Sequence, residues 1–254
     1  MLTLVTIPCL ADNYAFLLHD NATAETAVID APEAGPIIAE LTTRGWQLSE
    51  IWLTHHHSDH IGGVADLVKA TGAQVVGAKA DAHRLPGLDR AYDDGDRFQF
   101  AGHDVQVMDV SGHTVGHIAL HVPDAGAVFT GDSLMALGCG RLFEGTPDQM
   151  WASLSHLANL PPETLVCSGH EYTASNAAFA ATIEPDNRAL KQRTEDIATL
   201  RAADQPTVPS RLSDELATNP FLRAHLSEVK AALHMKAVPD AEVFAEIRRR
   251  KDSF

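Results

Sequence analysis

A mixed α/β domain followed by a small all-helical one is the architecture this sequence predicts. Three observations carry that prediction. Short apolar, β-branched runs alternate with Gly, Asp and Pro as far as about residue 170, then give way to helical patterns alone. Charge changes at nearly the same place: residues 1–180 hold 7 basic and 22 acidic side chains, whereas residues 181–254 hold 12 of each. At 254 residues the chain can bury a substantial core without the help of disulfides.

Taken in order, strands are expected at 2–7, 14–18, 26–29, 51–54, 105–110, 118–122, 127–130 and 165–167, each a run of β-branched or large apolar residues bounded by turn formers. Helical periodicity is clearest at 36–44, 63–71 and 147–160, the last opening on Pro147 at a first helical position. Beyond Glu171 no strand is expected, only helices at 175–182, 187–203, 222–234 and 241–251, separated by Pro206, Pro209, Pro220 and Pro239. The expected boundary is therefore 1–172 for the α/β domain and 173–254 for the helical one.

A formal net charge of −15 argues against a nucleic-acid partner, which would want clustered Lys and Arg. Cys9, Cys139 and Cys167 are odd in number, far apart and free of any CxxC pattern, which points away from a disulfide framework or a cysteine zinc site and towards a reducing cytoplasm. No apolar run approaches the roughly 18 residues that span a bilayer, and the first residues lack the basic flank of a signal peptide. A soluble, cytoplasmic protein working as a monomer is expected.

The chemistry concentrates in Thr54-His55-His56-His57-Ser58-Asp59-His60, which follows a predicted strand and precedes Gly62-Gly63 and a helix. Imidazole and carboxylate suit borderline divalent ions, and four such groups on one loop can surround metal with little closure cost. Three further groups recur where a strand ends: His113, Asp132 and His170, each beside a glycine (Gly112, Gly131, Gly169) that lets the backbone approach a crowded centre. One His or Asp after a strand is usually a turn residue or cap; the repetition argues for a metal centre. Asp30, ending the strand 26–29, is a candidate partner for a ligand imidazole. His56, His83, His103, His117, His121 and His156 are read as structural or exposed, and Cys139 as a tightly packed loop residue.

The successive segments Thr54–His60, Ser111-Gly112-His113-Thr114, Phe129-Thr130-Gly131-Asp132-Ser133 and Ser168-Gly169-His170-Glu171-Tyr172 resemble the metal motifs of the metallo-β-lactamase superfamily in order and spacing. The resemblance implies an αββα sandwich with two metals at one edge of its sheets. One ion would take His55, His57 and His113 and the other Asp59, His60 and His170, with Asp132 bridging; zinc is the expected metal, and iron or manganese fits the same ligands. Gly138-Cys139-Gly140-Arg141-Leu142-Phe143-Glu144-Gly145, Asn219-Pro220-Phe221-Leu222-Arg223 and Arg248-Arg249-Arg250-Lys251-Asp252 make the whole chain similar to the glyoxalase II, or hydroxyacylglutathione hydrolase, family. By that resemblance the helical tail completes a glutathione site in which Arg141, Phe143, Tyr172, Arg248 and Lys251 contact the substrate. Arg141 stands where the family often has Lys, and Phe143 where it often has Tyr, with loss of a hydroxyl. The basic run has a plainer reading too, as the solvated end of a C-terminal helix favourable to its dipole.

The activity so implied is hydrolysis of S-D-lactoylglutathione and related 2-hydroxyacyl thioesters to glutathione and D-lactate, the step that completes methylglyoxal degradation. Two ions ~3.5–4 Å apart would share a hydroxide nucleophile with a pKa near 7, and Asp59 and Asp132 are the catalytic carboxylates. Two other readings stand beside it: a persulfide dioxygenase-like oxidoreductase of the same fold holding a single iron, and a non-catalytic protein that merely retains the fold. The second would be marked by missing ligands, and none is missing.

Overall fold

The structure, a computed structural model, describes residues 1–254, which pack as two compact units: Met1–Val110 with Val115–Gly131, and Ser111–Thr114 with Asp132–Phe254. The first contains β1 (Leu2–Cys9), β2 (Asn13–Asp20), β3 (Glu25–Ile29), α1 (Ala34–Arg44), β4 (Gln47–Trp52), α2 (Ser58–Ile61), α3 (Val64–Thr71), β5 (Gln74–Ala78) and β6 (Arg90–Tyr92). It continues through β7 (Arg97–Phe100), β8 (His103–Asp109), β9 (Ile118–Val122) and β10 (Ala127–Gly131). One sheet runs in chain order from β1 to β6, antiparallel as far as β3 and parallel beyond it. The strands β7 to β10 form an antiparallel meander.

Two-residue periodicity explains the layering. Ala15 and Leu17 of β2 and Ile51 of β4 join one cluster with Ile37 and Leu41 of α1 and Val64 and Leu67 of α3. The alternate residues point the other way. Phe16 meets Phe129 of β10 with ring centroids 5.8 Å apart, and Trp52 lies edge-on between Phe98 and Phe100 of β7 at 5.3 and 5.2 Å. Both faces of this sheet are therefore covered, one by helices and one by the meander, so β2 is buried at every position.

The second unit holds β11 (Leu134–Met135), β12 (Gly138–Cys139), α4 (Pro147–Leu157), β13 (Leu165–Ser168), α5 (Thr173–Ile183), α6 (Arg188–Ala202), β14 (Ser210–Arg211), α7 (Leu212–Thr218), α8 (Ser227–Ala232) and α9 (Asp240–Asp252). Thr146 and Gln149 start α4 with a reciprocal capping box. A largely buried polar knot ties helices to loops. Glu215 accepts hydrogen bonds from the Leu137 amide at 2.8 Å and the Asn219 side chain at 3.0 Å and pairs with Arg193. Asn219 also donates to the carbonyls of Met135 and Gly138. Removing one partner from such a buried charged pair costs about 3–5 kcal/mol.

Three expectations need correction. Strands do not stop at Glu171: β14 pairs antiparallel with β13, Leu165 opposite Arg211 and Val166 opposite Ser210. It is only two residues long, too short to show a pattern. The helix expected at 222–234 is confined to Ser227–Ala232, because the residues after Pro220 fold into successive turns in which Leu222, Arg223 and Leu226 bond back three residues. The strands β5, β6 and β7 and the helix α7 were not anticipated at all; β6 and β7 flank the turn-forming stretch Asp93-Asp94-Gly95-Asp96, which hides them. Residues 132–170 lie in the same compact unit as the helices. All three cysteines are buried and free, and no helix is long and apolar enough to cross a membrane.

Candidate metal centre

In the first unit the loop after β4 carries His55, His57, Asp59 and His60, the last two on α2. Asp30 organises it. Buried and held at φ 56°, a left-handed conformation uncommon outside glycine, Asp30 accepts from the Thr54 amide at 2.9 Å and the Thr54 hydroxyl at 2.8 Å. Its Oδ2 also lies 2.8 Å from His60 Nδ1. A carboxylate can only accept here, so the His60 proton sits on Nδ1 and the lone pair on Nε2, 3.7 Å from Asp59 Oδ2. The Thr54 hydroxyl, its proton given to Asp30, accepts from His55 Nδ1 at 3.0 Å and leaves the His55 Nε2 lone pair facing His57 Nδ1 at 3.1 Å. Asn13, which sequence reasoning missed, donates through Nδ2 to Asp59 at both its carbonyl (3.0 Å) and Oδ2 (3.1 Å).

The second unit gathers His113, Asp132 and His170, all buried. His113 Nδ1 donates to the Arg141 carbonyl at 2.7 Å, so its Nε2 lone pair points at Asp132 Oδ2, 3.5 Å away. His170 Nε2 lies 3.2 Å from the same oxygen. A lone pair and a carboxylate repel unless a cation stands between them, and neutral imidazoles with carboxylates are the donors that borderline divalent ions take. In both units the donor chemistry fits a metal. Gly140 makes the close packing possible: a Cβ there would come 2.0 Å from the Asp132 carbonyl and 2.8 Å from His113 Nδ1.

Each of these two buried imidazoles carries an exposed aromatic ring. Phe143, 61% exposed, meets His113 edge-on at 5.3 Å, and Tyr172, 39% exposed, stacks on His170 at 4.6 Å. The basic run divides by helical phase along α9. Arg249 and Arg250 face solvent and pair with Glu246, whose carboxyl they hold down at about 2. Arg248 and Lys251 turn inward. Arg248 is buried, donates to the Cys139 carbonyl at 2.8 Å, pairs with Asp252 at 3.0 Å and lies over the Phe221 ring. Lys251 reaches Ser175 at 3.3–3.4 Å between the rings of Phe179 and Phe254, and burial, aided by the nearby Arg248 charge, lowers its pKa. Arg141 is exposed, 3.4 Å from Asp252. Burial pushes the Cys139 thiol up to about 11, which suits a packed loop residue and not a ligand.

A sheet faced by helices and a second set of strands, with imidazoles and carboxylates gathered at successive strand ends, defines the class: a metallo-β-lactamase-fold protein, as expected. A family model described as the Metallo-beta-lactamase superfamily matches residues 13–170, and one described as the Hydroxyacylglutathione hydrolase C-terminus matches residues 171–254. The chain is 64% identical over 251 residues to a hydroxyacylglutathione hydrolase of Roseobacter denitrificans, covering 99% of this chain and 98% of the relative. It is 63% identical over 253 residues to one of Cereibacter sphaeroides, with 100% and 99% covered. The crystal structure of ETHE1 from Myxococcus xanthus shares the fold, with a TM-score of 0.63 at 23% identity over 100% of this chain and 99% of that one. The chain belongs to the hydroxyacylglutathione hydrolase family.

Because Asp30 sets the tautomer of His60 directly and that of His55 through Thr54, Asp30→Asn is expected to weaken zinc binding roughly ten- to a hundredfold. Competition against a chromophoric chelator measures this. Wild-type affinity in the variant would show that the imidazoles orient themselves without Asp30.

Proposed function

We propose that this chain is a binuclear-metal thioester hydrolase that cleaves S-(2-hydroxyacyl)glutathione, S-D-lactoylglutathione in particular, to glutathione and a 2-hydroxy acid, the second step of methylglyoxal degradation, in the cytoplasm. The observation that carries this reading is the second unit's pairing of exposed rings, Phe143 and Tyr172, with the buried imidazoles His113 and His170. In the same unit, the cations Arg141, Arg248 and Lys251 suit a peptide thioester with carboxylate ends. His55, His57 and His113 would hold one divalent ion, Asp59, His60 and His170 the other, with Asp132 shared. When bound, the ions, zinc by preference, would supply Lewis acidity to the thioester carbonyl and acidify a water to near neutrality.

The remaining steps belong to side chains. Asp59, which accepts a hydrogen bond from Asn13, would accept the proton released in the attack. The leaving thiolate has a conjugate-acid pKa of about 8.5, so its departure needs no strong general acid. Tyr172 and Phe143 line the substrate's path, and Phe143 does so without a hydroxyl. Arg141 and Lys251 bind the glutathione carboxylates, remote from the scissile bond, while Arg248 holds the Cys139 loop and Asp252 in place and adds its charge. The single-iron oxidoreductase reading loses ground to the full-length relatives and to the match of the helical tail.

Purified protein should release glutathione from S-D-lactoylglutathione and carry two divalent ions per chain, read by thiol titration and elemental analysis. One iron per chain with oxygen consumption would contradict the proposal. Arg248→Ala with Lys251→Ala should raise KM roughly ten- to a hundredfold and change kcat little, since contacts remote from the reacting bond are nearly equal in ground and transition states. Arg249→Ala with Arg250→Ala is the control, and a double inward variant with unchanged KM would return the run to an ordinary helix end.

A further inference from the structure

His56 stands between two proposed metal ligands and was read from the sequence as structural. In extended backbone, successive side chains point to opposite sides, so if His55 and His57 turn towards an ion, His56 must turn away. The His55 and His57 rings lie 4.8 Å apart, whereas the His56 ring is 6.5 Å from His55. It turns to the buried carboxylate of Asp81, with Nδ1 2.9 Å from Oδ2. The other oxygen of Asp81 accepts from Arg84 Nε, and Arg84 Nη2 continues to the Val115 carbonyl at 2.7 Å.

The segment that Arg84 grips returns to the same loop. Gly116, at φ 85°, lies against Asp81, where a Cβ would come 3.1 Å from the Asp81 Cβ. One residue on, the buried His117 ring stacks on His55 at 4.5 Å and 13°, and the Ile118 amide donates to the Thr54 carbonyl at 3.0 Å. The loop 54–57 is thus held on one side by Asp81 acting on His56 and on the other by 115–118 acting on His55 and Thr54, with Arg84 connecting the two holds. Asp30 acts on His60 directly and on His55 only through the Thr54 hydroxyl, and Asn13 acts on Asp59.

We propose that His56, Asp81 and Arg84 are positioning residues for the metal position shared by His55 and His57, holding these two imidazoles in register through contacts separate from those of Asp30 and Asn13. The inference rests on the metal reading given above. A ligand displaced by about an ångström no longer meets the coordination geometry, and loss of a ligand's supporting partner typically weakens metal binding ten- to a hundredfold.

The test is a zinc titration of chelator-treated protein in competition with a chromophoric chelator, alongside thermal melting of the metal-free protein. His56 is partly exposed and Asp81 keeps Arg84 as a partner, so His56→Ala should fold, with the metal-free protein melting only a few degrees below wild type. It should weaken the binding of one of the two zinc ions roughly ten- to a hundredfold and leave the other near its wild-type affinity. His56→Asn, whose amide N–H stands where imidazole Nδ1 does, should recover most of the loss. Wild-type affinity for both ions in His56→Ala, equal weakening of both, or a lower metal-free melting temperature with unchanged affinities each overturn the clamp alone. Fewer than two zinc ions bound by the wild-type protein would overturn both the metal reading and the clamp that depends on it.

Discussion

A histidine can ligate a metal only through a nitrogen that keeps its lone pair, and that requirement governs the packing around the metal residues. Asp30 meets it for two rings at once, accepting from His60 directly and from His55 through the Thr54 hydroxyl. In the other unit the Arg141 backbone carbonyl does the same for His113. None of these acceptors can reverse its role as a neutral ligand's proton partner without a buried polar group going unsatisfied, at about 1–3 kcal/mol each. The strained backbone of Asp30 is intelligible on this footing: the position is set by three hydrogen bonds and not by local preference.

The helical unit answers a different need. Its cations are proposed to serve a substrate of peptide character on a chain whose net charge is strongly negative. Arg248 is committed to Cys139, Asp252 and the Phe221 face, which keeps the end of α9 and the loop bearing Arg141 and Phe143 in a fixed relation. Lys251, lodged between two rings, and Arg141, largely in water, are the adaptable members of the set. The run that reads as four equivalent basic residues is therefore two inward groups and two surface ion pairs.

The proposed ligands are legible in the sequence because the segments that carry them follow β-branched runs, a pattern that survives without any knowledge of packing. The residues that hold them are not. Asn13 meets Asp59 across 46 positions and Asp81 meets His56 across 25, and neither position bears a mark that separates it from an ordinary polar turn residue. Asp30 was found because it too follows a strand. The two-residue β14 and the turns after Pro220 escaped for the opposite reason: they are dictated by partners, Leu165 and Val166 in one case and the Asn219 knot in the other, and hardly at all by local preference. The grouping of residues 132–170 with the helices is likewise a property of packing, which periodicity along the chain does not report.

The central proposal is that a carboxylate shared by two ions makes this arrangement a binuclear hydrolase, with Asp132, which faces both His113 and His170, proposed as that carboxylate. Asp132→Asn removes the shared negative charge while keeping shape, so the repulsion between two cations is no longer offset. Elemental analysis and turnover of S-D-lactoylglutathione on the same preparation give the most direct measurement. The account predicts fewer than two ions per chain and a kcat lowered by orders of magnitude; a variant that keeps two ions and near-normal turnover would contradict it.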